Sequence, residues 1–188
     1  MRSLHCFIVK PVGGDRYVTE KEVAGKKLIT SVSEEDHLAS NREALVIDVP
    51  INYKGPIKPG NILLVHHNVF KFYNDVKGRR KSGKSFWRDD LFFIEMDQFF
   101  MYKSKDGWQP YDRYCFVKPI PPIQNNNIYN PSAEQPLIGE MKYPSERLIK
   151  KGINKGDLVG FTPGSEYEFT VDGEKLYRVY DHQITFKL

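Results

Sequence analysis

One succession of short apolar strings occurs twice in this chain, and a duplicated pattern of that kind leaves few folds open to it. Cys6-Phe-Ile-Val-Lys-Pro11 returns as Cys115-Phe-Val-Lys-Pro119. Ile57-Lys-Pro-Gly-Asn-Ile-Leu-Leu-Val65 returns as Ile153-Asn-Lys-Gly-Asp-Leu-Val-Gly-Phe161. Asp90-Leu-Phe-Phe-Ile-Glu95, followed by Gln98-Phe-Phe-Met-Tyr102, returns as Lys175-Leu-Tyr-Arg-Val179 followed by Gln183-Ile-Thr-Phe-Lys187. Leu137-Ile-Gly-Glu-Met141 reads as the counterpart of Leu45-Val-Ile-Asp48. The strings are short, rich in β-branched and aromatic residues, and bounded by Gly, Pro and Asp, which is the signature of strands separated by turns. Asp172-Gly173 between alternating residues is a strong hairpin signal, because both residues accept positive φ. Helical periodicity is nearly absent. The fold class expected is all-β, as two tandem units of about ninety residues each: residues 1–105 and 106–188, divided within the polar, turn-forming stretch Lys103–Trp108. The expected cores are Phe7, Val9, Leu45, Ile47 and Leu63 in one unit, and Phe116, Leu137, Leu158, Phe161 and Val179 in the other.

Charge bounds the partners. Of 188 residues, 28 are basic and 24 acidic, a net charge of +4. So mild an excess argues against nucleic acid as the principal partner. No apolar run approaches the roughly twenty residues of a membrane span, and Met1-Arg2-Ser3-Leu4 leads into a strand without a signal-peptide core. A cytoplasmic protein with no membrane partner is expected. Cys6 and Cys115 stand at matching places in the two repeats, so they read as small core residues in a reducing compartment, not as a disulfide. Two cysteines are also too few for a closed zinc site.

Three local patterns invite chemistry. Gly78-Arg-Arg-Lys-Ser-Gly-Lys-Ser85 matches the phosphate-binding P-loop letter for letter. That loop works only between a strand and a helix whose N-terminus faces the phosphates, and Phe86-Trp-Arg-Asp-Asp-Leu-Phe-Phe93 reads as strand. A solvated basic loop accounts better for the segment. Its cations Lys77, Arg79, Arg80, Lys81 and Lys84, beside Phe86 and Trp87, form a candidate contact loop for an acidic surface or nucleic acid. His66-His67-Asn68 suggests a metal, but neighbouring residues on a strand face opposite ways, so the two imidazoles are expected apart. No nucleophile elbow or Ser/His/Asp set stands out. The expectation is a non-enzyme with no cofactor, no metal and no catalytic residue.

Taken together, these elements resemble the GroES-like co-chaperonin family, and resemble it twice. Leu4-His5 with Phe7-Ile-Val-Lys10 is similar to the family's opening strand. Lys58-Pro-Gly-Asn61 and Lys155-Gly-Asp157 are similar to its Lys-x-Gly-Asp turn, and Asp172-Gly-Glu-Lys-Leu-Tyr177 with Ile184 to Phe186 looks like its closing segment. The closest likeness is to the enlarged co-chaperonin-like proteins of tailed bacteriophages. The resemblance implies two tandem GroES-like small β-barrels and a homo-oligomeric ring. It also implies a chaperonin of the GroEL type as partner, in the host bacterial cytoplasm if the protein is phage-encoded. It further implies a chaperonin-binding loop, for which Ala24-Gly-Lys-Lys-Leu-Ile-Thr30 is similar: Gly25, Lys27, Leu28, Ile29 and Thr30, with Leu28 and Ile29 as the apolar anchors. Lys27 departs from the family pattern, which has an apolar residue there. The alternative is a structural or virion-assembly protein that keeps the fold without binding a chaperonin.

Overall fold

The computed structural model describes residues 3–17, 20–23, 26–29, 39–122 and 134–188. They divide into two compact units, Met1–Trp108 and Gln109–Leu188. The first holds β1 (Phe7–Pro11), β2 (Glu20–Val23), β3 (Lys26–Ile29), β4 (Glu43–Asp48), β5 (Ile62–Val65), β6 (Phe72–Asn74), β7 (Arg80–Ser82), β8 (Phe86–Arg88), β9 (Leu91–Ile94) and β10 (Phe99–Ser104). A further strand, β11 (Gly107–Pro110), pairs with β10, so the polar stretch Lys103–Trp108 is a hairpin whose Trp108 is buried. The second unit holds β12 (Tyr114–Pro119), β13 (Ile138–Tyr143), the short helix α1 (Glu146–Lys150), β14 (Leu158–Phe161), β15 (Tyr167–Val171), β16 (Glu174–Tyr180) and β17 (Ile184–Lys187). The protein is nearly all β, and its sheets are antiparallel.

The first sheet runs β11-β10-β5-β4-β1-β9-β8, and the second, from its other edge, runs β17-β14-β13-β12-β16-β15. Apart from β11, the two orders correspond strand for strand. The irregularities correspond as well. In the first unit Val9 lies opposite Val46 and Ile8 opposite Asp48; in the second Val117 lies opposite Met141 and Phe116 opposite Tyr143. One extra residue thus bulges from the partner strand at the same point in each. A second bulge recurs where β5 meets β10, between Phe99 and Met101, and where β14 meets β17, between Gly160 and Phe161. Bulges bend and twist a strand, so both sheets are deformed at matching positions.

The turns before β5 and β14 match atom by atom. The Asn61 side chain accepts from the Lys58 N–H at 2.8 Å, and the Asp157 carboxylate accepts from the Asn154 N–H at 2.6 Å. Gly60 N–H donates to Val46 O and Gly156 N–H to Met141 O, both at 2.8 Å. At the other end of the sheets, Gln98 Oε1 accepts from Glu95 N–H and Gln183 Oε1 from Tyr180 N–H, both at 2.9 Å.

This register corrects three sequence expectations. Val65 N–H donates to Arg42 O as Phe161 N–H donates to Leu137 O, so Leu137–Met141 corresponds to Arg42–Val46 and not to Leu45–Asp48. Cys115 faces Val179 as Phe7 faces Ile94. The first string is one residue longer, and Cys6 therefore falls a step before the position of Cys115. Cys115 is buried and Cys6 partly exposed, and both are free thiols. Finally, Ala44 and Val46 are buried while Leu45 is half-buried and Ile47 is 41 % exposed; Leu158 is 39 % exposed and its neighbour Val159 is buried. A continuous apolar run such as Ala-Leu-Val-Ile has no polar residue to set the phase of its alternation, and the inward face is the other one. Leu137 packs against the second core from a half-buried position. Phe7, Val9, Leu63, Phe116, Phe161 and Val179 are buried.

Helix α1 also escaped the periodicity of the sequence, being only five residues long. Its signal is local: Ser145 caps it, accepting from the Leu148 N–H, and Leu148 is the buried anchor. No helix among the described residues is long and apolar enough to cross a membrane.

Candidate docking surface on the first unit

The stem of the candidate binding loop is built by Asn41. Its amide nitrogen donates to Val12 O at 2.9 Å and Asp15 O at 2.8 Å, and its oxygen accepts from the Glu43 N–H at 2.9 Å. Its own N–H donates to Arg16 O, and Tyr17 bridges to Ser40. Asn41 is buried, so satisfying three backbone groups with one amide keeps the stem from leaving orphaned polar atoms. Beyond the stem, β2 and β3 pair with each other in a two-stranded sheet of their own. Lys27 is opposite Glu22, Leu28 opposite Lys21 and Ile29 opposite Glu20. Gly25 and Thr30 lie outside the described residues.

Arg16 and Tyr17, which no sequence pattern singles out, tie this stem to the β6–β7 hairpin. The Arg16 guanidinium lies over three rings, Phe72 at 4.3 Å, Phe86 at 4.6 Å and Phe92 at 4.8 Å. It donates to Ser82 Oγ at 2.8 Å and pairs with Asp90 at 3.2 Å. A cation so enclosed by ring faces is held by their quadrupoles as well as by its hydrogen bonds. Tyr17 stacks on Phe72, with ring planes 14° apart, and its hydroxyl accepts from the Phe72 N–H at 2.9 Å.

The basic residues of 77–84 stand on ordered strands and turns, where a solvated loop was expected. Arg80 and Lys81 belong to β7, which pairs with β6: Phe72 opposite Ser82, Tyr73 opposite Lys81, Asn74 opposite Arg80. Asp75 closes the turn, its Oδ1 accepting from the Lys77 and Arg79 N–H groups at 2.9 Å each, while Lys81 Nζ lies 3.3 Å from its Oδ2. The Arg79 N–H foremost, with the Lys77 N–H and the Lys81 ammonium adding to it, holds the Asp75 carboxyl below its usual range against the opposing effect of desolvation. The Arg80 guanidinium packs over Phe72 at 3.7 Å. Lys77, Arg79 and Lys84 are exposed. Alternating side-chain directions make a hairpin of these residues, and the polar composition concealed it because Phe72 is the one apolar side chain on the face that Ser82 and Arg80 share.

The P-loop string Gly78–Ser85 runs through β7 and ends just before β8, so a strand follows it and not a helix. The geometry that would cradle a phosphate is missing from it. His66 and His67, expected to point apart, have ring centroids 4.1 Å apart. They lie just past the end of β5, where strand alternation no longer applies, and His66 Nδ1 accepts from the Asn68 N–H at 3.2 Å. Among the described residues no group of three His, Cys, Asp or Glu side chains is placed to hold a metal. Compared with known proteins, the chain matches no protein-family model and no curated protein sequence.

Proposed function

We propose that the chain is a co-chaperonin-like protein, built from two tandem GroES-like small β-barrels, that forms a homo-oligomeric ring and caps a GroEL-type chaperonin to assist protein folding. The observation that carries this reading is the β2–β3 pair, a two-stranded sheet separate from the seven-stranded one, with Leu28 and Ile29 on its second strand. Support for the fold comes from the common strand order, the two recurring bulges and the matched turns at Gly60 and Gly156. The corresponding stretch of the second unit, 123–133, lies outside the described residues, and its sequence offers no apolar tripeptide, so the first unit carries the anchor.

Mechanistically, two apolar side chains entering a groove give a weak single contact once the cost of fixing their loop is subtracted. A ring presents many such contacts at once, and avidity multiplies them while each stays individually releasable. Changing Leu28 and Ile29 together to Ser should abolish co-sedimentation with an ATP-loaded chaperonin and leave the far-ultraviolet circular dichroism unchanged. Capture equal to the parent's would show that the loop is not the anchor.

A structural or virion-assembly role is the second reading. It is favoured by Lys27, which stands in β3 where an apolar anchor is expected. Native mass spectrometry separates the two: a stable monomer that never co-sediments leaves the capping role without support.

A further inference from the structure

The positive charge of this protein is concentrated in one place. Residues 71–88 contain seven cations and a single carboxylate, Asp75, a net +6; the whole chain, with 28 basic and 24 acidic residues, carries +4, so the remainder is net −2. Asp75 is engaged by Lys81 and by the turn backbone, and among the described residues Lys77, Arg79 and Lys84 have no carboxylate partner. One face of the β6–β7 hairpin is committed inward through Phe72, Ser82 and Arg80. The other presents Tyr73, 51 % exposed, opposite Lys81, and the tip presents Val76, Lys77 and Arg79 to solvent. Through Arg16 and Tyr17 this hairpin is fixed to the stem from which β2 and β3 rise.

We infer that the β6–β7 hairpin is a second docking arm, an electropositive ribbon that meets an acidic protein surface bordering the groove entered by the β2–β3 loop. The inference rests on the capping role proposed above and names a further requirement on that partner. An acidic protein fits better than nucleic acid, because a stacking platform needs several open ring faces. Here Phe72 is covered by Arg16, Arg80 and Tyr17, and Trp87 is covered by Arg88 and packed against Phe93. Tyr73 is the aromatic ring most open to solvent on this hairpin. Charges at the rim of an interface act chiefly on the rate of encounter and on its salt dependence.

The test uses the full chain and follows its association with an ATP-loaded GroEL-type chaperonin at low ionic strength and at about 0.5 M salt, where screening is nearly complete over a few ångströms. The parent is compared with the triple variant Lys77→Ser/Arg79→Ser/Lys84→Ser, whose altered side chains have no packing role, and with the Leu28→Ser/Ile29→Ser variant. The expected result is an association rate about tenfold slower for the triple variant at low salt, converging on the parent at high salt. Equal rates at low salt, with capture still lost in the loop variant, overturn the inference and leave the capping role standing. No capture of the parent overturns the capping role and the inference with it. Binding of oligothymidylate that competes with the chaperonin and disappears in the triple variant assigns the hairpin to nucleic acid and also overturns it.

Discussion

Gly60 and Gly156 hold φ angles of +90° and +92°, where the Cβ of an L residue crowds its own backbone. Nothing else lies within 4 Å of either site, so the cost of a side chain there is the backbone strain alone. Gly60→Ala and Gly156→Ala should each destabilise their unit by about 1–2 kcal/mol, read by urea unfolding of each variant. A loss at one site and none at the other would break the equivalence of the two turns. These glycines were legible in the sequence, because Gly-Asn or Gly-Asp just before an apolar run marks a turn. The phase of β4 was not. Leu45 and Ile47 outrank Ala44 and Val46 in size, yet the smaller pair is inside. Pairing with β1 across a bulge decides which side faces the core, and no local rule on a wholly apolar run contains that information.

The strands themselves were largely readable where a turn residue bounded them. Asp172 and Gly173, both at positive φ, close the β15–β16 hairpin. Asp89 and Asp90, at 48° and 57°, turn the chain between β8 and β9, so the run Phe86–Phe93, which read as one strand, is two. The clamp between elements was not readable, since Tyr17 and Phe72 are fifty-five positions apart. Tyr17→Phe tests that clamp at modest cost: it keeps the ring stack and removes the acceptor of the Phe72 N–H. The loss should be about 1 kcal/mol, the net worth of one hydrogen bond. It should be confined in native-state hydrogen exchange to the β6–β7 hairpin and the loop stem. Exchange of the Phe72 amide unchanged from the parent would mean that the hairpin holds itself without the stem.

At the scale of the molecule, buried residues from Cys115 to Val179 form a core within the second unit, and Phe7, Phe70, Phe92 and Phe99 are fully buried in the first. Repeating strings are what suggest two units in the sequence, and the same repetition hid the unequal placement of the cysteines. That inequality has a practical consequence. Burial, aided by Asp181 and opposed by Arg178, pushes the Cys115 thiol well above its ordinary range, and burial with Glu95 raises Cys6 more gently from a partly exposed site. A maleimide added to the native protein should therefore modify Cys6 first, and reach Cys115 only as fast as the second unit opens, since the thiolate is the reactive form. Mass spectrometry of each tryptic peptide over time would then follow the two halves in separate channels. Labelling of both thiols at one rate in native buffer would show that the second unit opens as readily as the first site reacts. The chain thus carries one thiol reporter in each half, without any engineered label.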